Sequence, residues 1–145
     1  MGGGRYYADA SPEETWEALS TEPGAALVDV RTAAEWTFVG LPELSETPAK
    51  LIRAEWQSYP SMEVNADFVY EVERALRAAG SGPEAPVFFI CRSGGRSAAA
   101  AAAMTAAGYS HCYNVAGGFE GNRDGEGHRG SLDGWKAADL PWVQS

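Results

Sequence analysis

Seven consecutive residues carry the groups that nucleophilic sulfur chemistry requires. The segment runs Cys91-Arg92-Ser93-Gly94-Gly95-Arg96-Ser97 and supplies a thiol, two guanidinium groups, two hydroxyls and two glycines. Glycines adopt positive φ angles at little cost, so a loop of this kind lets successive backbone N–H groups converge on one anion. We therefore predict that Cys91 is a nucleophile. The residues after it are predicted to form an anion-binding loop: Arg92, Ser93, Gly94, Gly95, Arg96 and Ser97.

The segments on either side of this loop place Cys91 at the end of a central strand. Residues 87–90, Val-Phe-Phe-Ile, form the most apolar run in the chain and predict a buried strand. An alanine-rich run that ends at Gly108 predicts a helix after the loop. Open α/β sheets bind their ligands at the carboxyl ends of the strands. At that position the helix dipole and the charges of Arg92 and Arg96 would favour the thiolate over the thiol.

Two other interpretations of Cys91 are weaker. A cysteine after a buried strand can be an inert core residue, but an inert thiol has no use for two arginines and two glycines within five residues. Cysteine-dependent phosphatases, and arsenate reductases that share their chemistry, place five residues between the cysteine and the arginine. Here four residues separate Cys91 from Arg96, and the shorter loop suits one sulfur atom better than a tetrahedral phosphate.

The elements that must position this loop can be read from the alternation of apolar runs and helical patterns. Residues 25–30, 51–54 and 113–115 are further strand candidates, and Ser11, Pro12 and Glu14 form a capping-box pattern that starts the first helix. Strands that alternate with helices are typical of a parallel sheet covered on both faces. We expect an α/β protein with a three-layer α/β/α arrangement, a mostly parallel five-stranded sheet and one domain over residues 1–145.

Composition excludes several classes of partner and site. The chain has 145 residues and a formal net charge of −9, from 11 basic and 20 acidic side chains, so neither nucleic acid nor an anionic membrane is an expected partner. Its amino terminus lacks the pattern of a secretory signal, which favours a cytoplasmic location. The two histidines, His111 and His128, have no second ligand at metal spacing, so no metal site is predicted.

Four segments together resemble one known family. Besides the Cys91 loop, they are Val28-Asp29-Val30-Arg31 followed by Glu35-Trp36, Asn114-Val115-Ala116-Gly117-Gly118-Phe119, and Gly134-Trp135-Lys136-Ala137-Ala138-Asp139-Leu140-Pro141. In this order they resemble rhodanese-like sulfurtransferases of the single-domain kind. The resemblance implies that Cys91 takes a sulfane sulfur from a small anionic donor such as thiosulfate and becomes a persulfide. The outer sulfur then passes to cyanide or a thiol, and no cofactor is needed.

The same resemblance implies roles for the residues around Cys91. Backbone N–H groups of the loop would hold the persulfide, while Arg92 and Arg96 would attract the anionic donor. Asp29 would support the loop by accepting hydrogen bonds, and Arg31 would pair with Glu35. A buried ion pair that organises the fold is the simpler interpretation of Asp29 and Arg31.

One further functional alternative stays open at this point. The chain could act as a sulfur carrier or a regulatory binding module, with a partner protein as the sulfur acceptor. Cys112 could resolve the persulfide as a disulfide, although a small buried thiol is the simpler interpretation. The glycine-rich stretch 117–134 is predicted to be a loop whose role the sequence does not define.

Overall fold

The centre of the fold is a parallel sheet of five strands. The computed structural model describes residues 4–58 and 60–144. The strands lie in the order β1-β8-β7-β2-β4, and every neighbouring pair is parallel. Their bounds are Ala8–Ala10 for β1, Ala26–Asp29 for β2, Lys50–Arg53 for β4, Val87–Ile90 for β7 and Cys112–Val115 for β8. The predicted central position of the Val-Phe-Phe-Ile strand is confirmed.

Helices cover both faces of this sheet, which confirms the three-layer α/β/α prediction. One face packs against α1 (Pro12–Thr21) and α5 (Gly134–Ala137), and the other against α3 (Phe68–Ala78) and α4 (Gly95–Ala106). A further short helix, α2 (Ala33–Phe38), directly follows β2. No helix in the part of the chain that the structure describes is long and apolar enough to span a bilayer.

Local sequence signals account for where α1 and α2 begin. The Ser11 hydroxyl accepts a hydrogen bond from the Glu14 backbone, and the Glu14 carboxylate accepts one from the Ser11 backbone, as the capping-box pattern predicts. Thr32 and Glu35 form the same reciprocal pair at the start of α2. Because the second box fixes the Glu35 side chain at the end of β2, it also positions a carboxylate next to the Cys91 loop.

Several short strands were not anticipated from the sequence. The edge strand β1 has the sequence Ala-Asp-Ala, which carries no apolar run, and it forms only by pairing with β8. Two antiparallel ribbons also form: β3 (Leu41–Pro42) pairs with β9 (Trp142–Val143), and β5 (Gln57–Ser58) pairs with β6 (Glu63–Val64). Of these elements, β1 matters most for the site, because it sets Asp9 directly opposite Asn114.

Candidate active site

Cys91 lies at the carboxyl end of the central strand, between β7 and α4. Its side chain is 2% exposed. Gly94 has a φ of 125°, which turns the loop back toward the sulfur. The expectation that both glycines would take positive φ angles is half right, because Gly95 is already the first residue of α4. The loop therefore ends at the first turn of α4 and contains one glycine with a positive φ angle, not two.

Two groups of the loop contact the Cys91 sulfur. The Gly94 backbone N–H donates to Sγ at 3.1 Å, and the Ser97 hydroxyl lies 3.2 Å from Sγ. Ser97 is fully buried. A cavity of about 190 Å³ opens beside the sulfur, lined by Cys91, Arg92, Ser93, Gly95 and Arg96. Its size is below that of a typical drug-sized ligand site, so it suits a small anion.

The glycine-rich segment after β8 supports the loop from behind. Its backbone donates three hydrogen bonds: Phe119 N–H to the Cys91 carbonyl at 2.7 Å, and the N–H groups of Glu120 and Gly121 to the Arg92 carbonyl at 3.0 and 3.1 Å. These bonds hold both carbonyl oxygens toward the segment 118–121. Phe119 is fully buried, which agrees with a packing role.

The two loop arginines have different surroundings. Arg96 forms a bidentate ion pair with Glu35, with Nη1 to Oε1 at 2.8 Å and Nη2 to Oε2 at 2.9 Å. The Arg92 side chain is exposed and makes no hydrogen bond or ion pair with any residue that the structure describes. Glu35 thus neutralises the charge of Arg96 but not that of Arg92, and the attraction of an anionic donor by the two arginines stays a prediction.

The Glu35–Arg96 pair stays charged over a wide pH range. Burial by itself would raise the pKa of Glu35, but hydrogen bonds from Arg96 and from the Thr32 backbone outweigh it and lower the pKa to about 2. The hydrogen bond from Arg96 to Glu35 raises the pKa of the Arg96 guanidinium in turn. Both side chains thus stay ionised, and their opposite charges give the pair no net charge beside the sulfur.

This pair predicts a specific loss of stability in acid. Because the folded pKa of Glu35 lies below its ordinary value of 4.5, its contribution is complete above pH 4.5 and is lost as pH falls toward 2. Between pH 5 and pH 3, the free energy of unfolding should fall by about 1 kcal/mol more in the native protein than in Glu35→Gln, after allowance for solvent screening. Urea unfolding at the two pH values measures the difference. Equal losses in both proteins would show that the pair does not titrate as described.

Asp29 and Arg31 form a buried pair below the loop. Arg31 donates from Nε to Asp29 Oδ1 at 2.9 Å and from Nη2 to Asp29 Oδ2 at 2.7 Å, and both side chains are fully buried. The predicted pairing of Arg31 with Glu35 is wrong, because Glu35 is turned toward Arg96 by α2. Arg31 also donates to the Gly40 carbonyl and lies 4.3 Å from the Phe119 ring centroid. The pair therefore contacts Phe119, whose backbone holds the Cys91 carbonyl, and does not contact the Cys91 sulfur.

Sequence reasoning missed a polar network on the other side of Cys91. Ser97 contacts Asn114 of β8, and Asn114 contacts Asp9 of β1. Asn114 lies in one of the segments that carry the family resemblance, but its sequence context does not indicate a contact with Ser97. Asp9 carries no sequence signal because β1 itself has none. The second cysteine lies apart from this network: burial raises the pKa of Cys112 to about 11, which agrees with its interpretation as a core thiol.

The fold and the site together define a class. It comprises three-layer α/β proteins in which a cysteine at the end of a central parallel strand lies in a loop whose backbone donates a hydrogen bond to its sulfur. Within that class, the sequence profile of the rhodanese-like domain matches residues 11–123. The chain belongs to the rhodanese-like domain family.

The chain is also similar to individual proteins and to a solved structure. The chain is 39% identical over 129 residues to the uncharacterized protein RC0915 of Rickettsia conorii, covering 89% of this chain and 91% of that protein. It is 27% identical over 135 residues to the thiosulfate sulfurtransferase GlpE of Actinobacillus succinogenes, covering 93% and 89%. Among solved structures, that of Rv0390 from M. tuberculosis matches with a TM-score of 0.85 and 45% identity, covering 97% of this chain and all of that one.

Proposed function

We propose that this protein is a sulfurtransferase that carries a sulfane sulfur on Cys91 as a persulfide. Thiosulfate is the proposed donor, and cyanide or a small thiol is the proposed acceptor. The observation that carries the proposal is the buried Cys91 sulfur, which receives a hydrogen bond from the Gly94 N–H at the mouth of a small cavity. Membership of the rhodanese-like family and similarity to a thiosulfate sulfurtransferase support the same reaction class.

The proposed reaction has two displacement steps at sulfur. The Cys91 thiolate attacks the outer sulfur of thiosulfate, so that a bond forms between Sγ and that sulfur while the sulfur–sulfur bond of thiosulfate breaks. The bonding pair leaves with sulfite, and Cys91 becomes an anionic persulfide. Cyanide then attacks the outer sulfur, thiocyanate departs and the thiolate is regenerated. Negative charge is present throughout, so the Gly94 N–H that is fixed at the sulfur stabilises both steps.

The remaining loop residues serve binding in this proposal. Ser93, Gly95 and Arg96 line the cavity and would surround the outer sulfur, while the ion pair with Glu35 keeps Arg96 in one position. Arg92, which has no ion-pair partner among the residues that the structure describes, would attract a donor anion. Asp29 and Arg31 act indirectly, by fixing the packing beneath the loop.

Intact-mass measurement tests the proposal directly. Incubation with thiosulfate should add the mass of one sulfur atom, cyanide should remove it, and Cys91→Ser should abolish the gain entirely. Cys112→Ser is the matched control, because it removes the other thiol of the chain and should load normally. No gain in mass, together with hydrolysis of a phosphate ester, would overturn the proposal. Loading that neither cyanide nor a small thiol can reverse would indicate a carrier that hands sulfur to a protein.

Arg92→Ala should weaken the binding of thiosulfate. Loss of one exposed positive charge beside a dianion is expected to raise the KM for thiosulfate about fivefold at low salt, with a smaller change in kcat. Arg77→Ala is the control: it removes the same charge from an exposed position in the last turn of α3, before the amino end of β7 and not at its carboxyl end. Equal effects of the two substitutions would mean that net charge, and not the position of Arg92, determines donor binding.

A further inference from the structure

A continuous chain of hydrogen bonds leads from the Cys91 sulfur to the edge strand β1. Ser97 Oγ lies 3.2 Å from Cys91 Sγ and 2.5 Å from Asn114 Oδ1. Asn114 Nδ2 donates to Asp9 Oδ1 at 3.1 Å, and the Tyr6 hydroxyl donates to the same oxygen at 2.8 Å. Asp9 and Asn114 are direct partners in the pairing of β1 with β8. These hydrogen bonds therefore connect β1, β8 and α4.

Asp9 determines which end of the Asn114 amide faces Ser97. An ionised carboxylate accepts hydrogen bonds and donates none, so Asn114 must present its NH₂ group to Asp9. The amide oxygen then has to face Ser97. Asn114 is 7% exposed, so neither end of its amide can readily replace these hydrogen bonds with bonds to water.

The Ser97 hydroxyl has one proton for three possible acceptors, because the Gly94 carbonyl oxygen also lies within reach, 3.3 Å from Oγ. With the Asn114 oxygen at 2.5 Å and the Cys91 sulfur at 3.2 Å, the proton goes to the amide, and the lone pairs of Oγ face the sulfur. To stabilise a Cys91 thiolate, Ser97 would have to turn its proton to the sulfur and leave two oxygen atoms in close contact with no proton between them. Rotation of the amide would relieve that contact, but it would set the amide oxygen against the Asp9 carboxylate.

We propose that Asp9 is a positioning residue which, through Asn114, keeps the Ser97 hydroxyl turned away from Cys91 and so favours an uncharged sulfur over the thiolate. An uncharged sulfur is present in the thiol and in the inner atom of a persulfide. The inference rests on the proposed function only in treating Cys91 as the reactive sulfur. It implies that the unloaded protein is restrained in its reactivity toward electrophiles.

Other charged groups also surround Cys91, and the proposed substitution changes none of them. On its own loop and helix these are Arg92 and Arg96; on β2 and α2 they are the Asp29–Arg31 pair and the Glu35 carboxylate. Arg96 experiences the charges of both Cys91 and Asp29. A change at Asp9 therefore tests the polar network against a constant background.

Asp9→Asn should make Cys91 more reactive at low pH. The amide that this substitution introduces can donate to the Asn114 oxygen, which lets the Asn114 amide turn, donate to Ser97 and free the Ser97 proton for the sulfur. One hydrogen bond to an anion corresponds to a shift of about one unit in the pH midpoint of alkylation by iodoacetamide, or roughly tenfold in rate well below that midpoint. A purely structural role for Asp9 predicts slower alkylation, because the network around Cys91 would be loosened.

The same substitution in a Ser97→Ala background separates the network from simple charge. Removing the Asp9 carboxylate stabilises any nearby anion by charge alone, and this contribution to the shift in midpoint persists in Ser97→Ala. The contribution that depends on the Ser97 hydroxyl is lost in Ser97→Ala. Glu84→Gln is the control for net charge, since Glu84 is exposed and precedes the amino end of β7. Tyr6→Phe leaves the Asp9–Asn114 bond in place and should shift the midpoint little.

The expected result is a shift to lower pH in Asp9→Asn that mostly disappears in Ser97→Ala and is absent in Glu84→Gln. An unchanged or raised midpoint in Asp9→Asn, or an equal shift with and without Ser97, overturns the inference. Alkylation requires no sulfur donor. Failure here therefore leaves the proposed transfer reaction untouched, and failure of sulfur loading would leave this result interpretable.

Discussion

Asp29→Asn is expected to lower the free energy of unfolding by about 3–5 kcal/mol, because it removes one partner of a fully buried ion pair. Arg31 would keep its charge, but its close partners would be neutral: the one amide oxygen of the new side chain, the Gly40 carbonyl and the Phe119 ring. One of its nitrogens, Nη1, already has no hydrogen-bond partner in the part of the chain that the structure describes. The substitution thus leaves the fully buried Arg31 charge without its anionic partner.

The double replacement Asp29→Ala with Arg31→Met provides the matched comparison. Removing both charges eliminates the unpaired group, so the double variant should unfold at higher urea than Asp29→Asn alone. Equilibrium urea unfolding of the single and double variants measures the difference. A single variant within about 1 kcal/mol of the native protein would contradict the prediction and would place this pair among weak surface interactions.

The Asp29–Arg31 pair also shows what the sequence can and cannot predict here. Asp29 and Arg31 stand at the end of a predicted strand, and a buried ion pair was one interpretation of them. Their true partners depend on the direction in which α2 leaves the strand, since the helix turns Glu35 toward Arg96. The buried pair of Asp29 with Arg31 was therefore predictable from the sequence, whereas the pairing of Glu35 with Arg96 was not.

Local signals explain the parts of the fold that were predicted well. The capping box of α1, the apolar run of β7 and the loop after it each depend on residues within a few positions of one another. The network at Asp9 depends on a contact between residues 105 positions apart. Its edge strand is created by pairing with β8, so no local pattern in the chain could reveal it.

Gly118→Ala is expected to disrupt the Cys91 loop directly, because this glycine packs against the backbone of the loop itself. Gly118 has a φ of 65°, and a Cβ atom there would lie 2.5 Å from the Cys91 carbonyl oxygen and 2.6 Å from the Arg92 carbonyl group. Backbone atoms cannot yield as a flexible side chain would. The loop would move away, and the hydrogen bonds that Phe119 and its neighbours donate to the loop carbonyls would lengthen or break.

Two other glycines of the same segment separate the causes. Gly127 also has a positive φ, of 81°, but a Cβ there meets no atom within 4 Å, so Gly127→Ala measures backbone strain alone at about 1 kcal/mol. Gly125 has neither strain nor a close neighbour, and Gly125→Ala should be neutral.

Against those two controls, Gly118→Ala should destabilise the protein by about 3 kcal/mol and slow sulfur loading from thiosulfate by roughly a hundredfold, because a small displacement of catalytic geometry is costly. Urea unfolding and the rate of mass gain measure the two effects. If Gly118→Ala behaved like Gly127→Ala in both, the close approach of this glycine would not be what holds the loop. The position of the Cys91 sulfur would then depend on β7 and α4 alone.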